Sequence, residues 1–110
     1  MIKIRKSLPE FSYEVDGCNF RLRPFSEVEL EEFNFMMREV YASKQMIFPT
    51  EAISYSLNKC LVNWSGVCGE DGKELPYKKG DEKYLPAPIR SILTAQIFQN
   101  SVVSEEEKKR

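Results

Sequence analysis

The sequence predicts an α+β fold: an N-terminal β-hairpin, then about three helices around one small core, with an ordered glycine-containing loop before the last helix. Three observations carry that expectation. Apolar residues alternate on both sides of an Asp-Gly pair near the start, which is the pattern of a two-residue hairpin turn. They then recur at three-four spacing in three later segments, and prolines stand near the segment boundaries. The 110 residues fit one domain, 1–110, whose ends at 1–10 and 101–110 are expected to be flexible.

In "FSYEVDGCNFRLRPF", Phe11, Tyr13 and Val15 share one side, Asp16-Gly17 turns the chain, and Phe20 and Leu22 resume the pattern. Glycine accepts the positive φ of a type I′ turn, so a hairpin is expected from about 11 to 23. Ile2 and Ile4 offer a short third strand or a frayed terminus. Arg21 and Arg23 fall on the side opposite Phe20 and Leu22, the solvated back of the strand.

Pro24 ends the second strand, and Ser26 to Glu29 has the form of a capping box. A helix is expected from Glu27, with Leu30, Phe33, Met37, Val40 and Tyr41 forming one apolar stripe over about four turns. Phe35 and Met36 widen the stripe, as deeper core or as contact surface. Pro49 breaks the next segment and Thr50 caps a second helix whose face runs through Ile53, Leu57, Cys60, Leu61 and Trp64. Beyond Trp64 the glycines argue for an ordered loop, with a small hairpin around Asp71-Gly72. Pro88 opens a last helix with Ile89, Ile92, Leu93, Gln96 and Ile97 along one side. In the tail, Glu105 with Lys109 and Glu106 with Arg110 have helical ion-pair spacing.

Composition narrows the function classes. With 16 basic and 17 acidic residues the formal charge is −1, no footprint for gripping nucleic acid. No apolar run suits a membrane span or a secretory leader, so the chain is expected in the cytoplasm without membrane association. The three cysteines, Cys18, Cys60 and Cys68, lack C-x-x-C spacing and read as reduced, buried thiols. Histidine is absent, which removes the commonest metal ligand and general base. "GEDGKELPYKKGDE" is rich in oxygen ligands but lacks the order of a calcium loop, and Gly66, Gly69 and Gly72 lack the strand–glycine–helix context of a phosphate site. No cofactor, metal or catalytic group is expected; an enzyme would need a deep pocket of convergent acids.

The order of features resembles a family of small proteins from tailed bacteriophages and prophages. It is carried by Trp64-Ser65-Gly66, then Asp71-Gly72, then Leu75-Pro76-Tyr77, set between the hairpin and a proline-started terminal helix. The resemblance covers roughly residues 11 to 100, and "GVCGEDG" departs from it by an additional glycine and a cysteine. It implies a non-enzymatic tail assembly chaperone of the bacterial host cytoplasm. Its partner would be the tape-measure or another tail protein. An apolar contact surface suits such a client, and Phe35, Met36, Met46, Ile47 and Phe48 are the candidate partner-binding residues. Trp64, Gly66, Asp71, Gly72, Pro76 and Tyr77 form the structural motif. The alternative is a small phage-encoded regulatory or inhibitory protein that binds a host factor. Gene order separates the two, because a tail chaperone is expected just ahead of the tape-measure gene. A stripe wider than one small core needs leaves self-association open.

Overall fold

The computed structural model describes residues 8–44 and 47–108. The strand expected through Ile2 and Ile4 lies outside the described residues, as do Met46 and the partners Lys109 and Arg110 of the tail ion pairs. The fold is α+β: among the described residues, a three-stranded antiparallel sheet packs against four α-helices.

β1 (Phe11–Val15) and β2 (Cys18–Leu22) form the expected hairpin, Phe11 opposite Leu22 and Val15 opposite Cys18. Asp16 at φ 52° and Gly17 at φ 77° are the two left-handed residues of the I′ turn. After Pro24, Ser26 Oγ accepts from Glu29 N at 3.2 Å while Glu29 Oε1 accepts from Ser26 N at 2.9 Å, closing the capping box that starts α1 (Glu27–Met36). Arg23 is not solvated as expected. Its Nη1 and Nη2 donate to the two Glu29 oxygens at 2.7 and 2.9 Å, folding the guanidinium against the helix start.

The single long helix expected next is interrupted at Met37. Met37, buried with its N–H shared between Phe33 O and Asn34 O, separates α1 from α2 (Arg38–Ser43). α3 (Thr50–Cys60) starts one residue earlier than expected: Pro49 is its N-cap, and no side chain, Thr50 included, caps it.

The largest departure follows α3. Leu61 and Trp64 do not extend the helix; they belong to β3 (Leu61–Ser65), which pairs with β2 and makes β2 the central strand. Backbone satisfaction explains the outcome, since β2 would otherwise present its second edge unpaired. The register runs Phe20 to Trp64 and Arg21 to Asn63 but Leu22 to Leu61, so Val62 is the extra residue of a bulge. In a regular strand, residues three apart face opposite sides; the bulge lets both Leu61 and Trp64 face the core.

α4 (Ala87–Lys108) carries Pro88 in its first turn and closes the core with Leu93 and Ile97. The core centres on Phe33, whose ring lies 5.0 Å from Phe25, 5.4 Å from Phe98 and 6.1 Å from Phe48. Full burial of such a side chain contributes about 2–3 kcal/mol. Buried hydroxyls are satisfied locally: Ser56 donates to Ala52 O, Thr94 to Arg90 O and Ser101 to Ile97 O. Ser101 Oγ also accepts from Phe25 N at 2.8 Å, tying α4 to the chain just before α1.

Candidate functional site

The capping box fixes where α1 begins, and therefore which of its residues face out. Leu30 and Phe33 turn inward. Val28 and Phe35, seven apart and hence on one face, turn outward and are each 64% exposed. Glu31 and Glu32 lie between them on the same face. Arg38, just past the interruption, lays its guanidinium 4.0 Å over the Phe35 ring and donates to Phe35 O, while the Tyr41 hydroxyl donates to Asn34 Oδ1.

The candidate contact residues therefore divide. Phe35 is exposed, and so is Ile47 at 67%. Met36 and Phe48 are half-buried and pack against the core, Phe48 beside Phe33. Met46 lies outside the described residues. Val28 was missing from the sequence expectation, although its spacing from Phe35 and its position off the stripe were both readable.

The face is acidic: α1 holds four glutamates and no basic residue. Arg23 engages Glu29, and the Tyr55 hydroxyl donates to Glu32. Burial, then that contact, pushes the Tyr55 hydroxyl well above its ordinary value. Glu31 and Glu32 bring negative charge beside Val28 and Phe35, and the Arg38 guanidinium over the Phe35 ring offsets part of it.

The tryptophan segment is structural. Trp64 is 8% exposed, edge-on to Phe20 at 6.3 Å and 4.8 Å from the Tyr77 ring. Its Nε1 donates to Leu75 O at 2.8 Å, drawing the returning chain over the indole. Gly66, at φ 82°, turns out of β3; its N–H donates to Glu74 Oε1, and a Cβ there would meet Gly17 O at 3.0 Å. The expected small hairpin follows, with Cys68 bridged to Glu74, Gly72 at φ 78° and Asp71 Oδ1 accepting from Lys73 N. Pro76 is exposed. Beyond it the Tyr77 hydroxyl donates to Glu82 Oε2, which also accepts from Gly80 N, so buried Glu82 anchors the loop to the 3₁₀ turn Asp81–Tyr84. Burial and this carboxylate push the Tyr77 hydroxyl well above its ordinary value. Nothing in the sequence sets Glu82 apart from the other acids of its charged stretch.

An open depression of about 430 Å³ lies between α3, the 3₁₀ turn and α4, with Asn58, Glu82, Lys83 and Arg90 in its lining. Among the described residues Glu82 is its only acid and is already held by Gly80 and Tyr77, while Arg90 Nε donates to Leu85 O. Among the described residues no three metal-ligating side chains converge, and no helix is long and apolar enough to cross a membrane.

No family model, curated protein or solved structure matches this chain.

Proposed function

We propose that the protein acts by protein–protein contact through the outer face of α1, holding an amphipathic partner segment whose apolar side chains are flanked by lysine or arginine. The observation that carries this is the exposure of Val28 and Phe35 on a face of α1 that also carries Glu31 and Glu32, with Arg38 stacked on Phe35 as a neighbouring cation. Two large apolar groups left in water favour a cover, and the surrounding carboxylates favour a basic one. Ile47, exposed beyond α2, adds a further apolar group to the outer surface.

The more specific proposal is a phage tail assembly chaperone that binds the tape-measure protein during tail morphogenesis in the bacterial cytoplasm. The resemblance carried by Trp64-Ser65-Gly66, Asp71-Gly72 and Leu75-Pro76-Tyr77 supports it, as does the packing of Trp64 against Tyr77 and its hydrogen bond to Leu75 O, which join the first and last of these elements.

Co-expression with the tape-measure protein is the test. The wild-type chain should raise that protein's soluble yield and co-purify with it. Phe35→Asp should lower recovery at least about tenfold while shifting stability by no more than about 0.5 kcal/mol, because the ring is exposed. No change in the client's solubility or recovery with the wild-type chain would sink the chaperone assignment. Undiminished recovery with Phe35→Asp would remove the α1 face from it.

A further inference from the structure

Two of the three thiols meet at one backbone oxygen. Cys18, at the start of β2, brings Sγ to 3.2 Å from Gly66 O, and Cys68, in the tryptophan loop, brings Sγ to 4.0 Å from the same atom. Their sulfurs are therefore no more than about 7 Å apart, and swinging both thiols about χ1, ~3 Å each, spans that gap to S–S bonding distance. The backbones are already in contact, since a Cβ on Gly66 would lie 3.0 Å from Gly17 O and 3.3 Å from Cys18 Cα. Cys68 is exposed and Cys18 half-buried, so a reagent has access to the pair, whereas Cys60 is sealed in the core. The expectation of three buried thiols thus holds only for Cys60, whose thiol burial pushes up to about 12.

We propose that Cys18 and Cys68 are a redox modification site, converted by a small-molecule disulfide into an internal disulfide that pins the tryptophan loop to the hairpin tip. The chemistry balances in two exchanges. The Cys68 thiolate attacks one sulfur of oxidised glutathione, forming a Cys68–glutathione mixed disulfide and releasing one glutathione thiolate. The Cys18 thiolate then attacks Cys68 Sγ, forming the protein disulfide and expelling the second glutathione thiolate. The two protons given up by the protein thiols end on the two glutathiones, and the protein loses two electrons to one oxidised glutathione.

The experiment exposes the full chain to oxidised glutathione, blocks free thiols by alkylation, and maps the peptides without reductant. A Cys18–Cys68 cross-link is expected, with Cys60 left reduced and Cys60→Ser giving the same product. Cys18→Ser should instead accumulate the glutathione adduct on Cys68. Amide exchange at Gly69, Gly72 and Lys73, whose N–H groups hold the small hairpin, should slow in the oxidised form and recover on reduction. A glutathione adduct that persists on Cys68 in the wild-type chain, a cross-link between two chains, or unchanged exchange after oxidation would overturn the proposal.

Discussion

Replacing Glu29 with glutamine tests the joint between the sheet and the first helix. Glu29 accepts from Arg23 Nη1 at 2.7 Å, from Nη2 at 2.9 Å and from Ser26 N at 2.9 Å, and the Arg23 and Glu29 side chains are only 25% and 17% exposed. The Arg23 hydrogen bonds first, then the Ser26 backbone, hold the carboxyl at about 2 against an ordinary 4.5, with burial opposing them. Arg23 in turn is held more firmly protonated, its hydrogen bond to Glu29 leading. At ~1.4 kcal/mol per tenfold change, a carboxyl lowered this far contributes about 3 kcal/mol at neutral pH. Because the folded value is the lower one, that stability is present above pH 4.5 and is lost as pH falls through about 2. Glu29→Gln should therefore cost about 2–3 kcal/mol near neutrality, and its deficit should shrink toward zero as the medium is acidified. Urea unfolding followed by Trp64 fluorescence at a series of pH values reads this directly. A neutral-pH deficit below about 1 kcal/mol, or one that stays constant down to pH ~2, would refute the argument.

Three further outcomes follow from packing and backbone geometry. Trp64→Ala should cost about 3–5 kcal/mol by circular dichroism in urea, while Asp71→Ala, in an exposed turn, should cost less than about 1 kcal/mol; similar values for the two would mean the tryptophan is not a core residue. Gly66→Ala should cost about 1–3 kcal/mol, because φ 82° is strained for alanine and its Cβ would press on Gly17 O; a midpoint unchanged in urea would contradict the close approach. Ser101→Ala should cost about 1–2 kcal/mol by leaving Phe25 N–H without its acceptor, and should speed exchange of that amide.

What the sequence made legible was what short-range physics decides. Asp16-Gly17 has one good use between alternating apolar residues, and Ser26 with Glu29 has one good use ahead of an apolar stripe. β3 was not legible, because Leu61 and Trp64 sit at a spacing that suits a helix, and only the bulge at Val62, set by the distant strand β2, makes it suit a strand. The interruption at Met37 leaves no mark in the pattern, since Val40 stays partly buried against the core. Exposure of the apolar positions was half legible: Phe35 and Ile47 emerged as exposed, whereas Met36 and Phe48 were claimed by the core around Phe33. Apolar character alone does not tell which way a side chain points.

The central position of β2 has a kinetic consequence. One of its edges is closed by a neighbour two residues away in the chain, the other by a strand about forty residues downstream. Hairpins close in about 1–10 μs, whereas long-range pairing bears the loop-closure entropy of everything between. The sheet should therefore assemble in two stages, hairpin early and β3 late, with α1 and α3 brought in between. Trp64, the sole tryptophan, sits on the late strand. Its fluorescence in a stopped-flow trace would time the closing of the sheet rather than the first collapse of the chain.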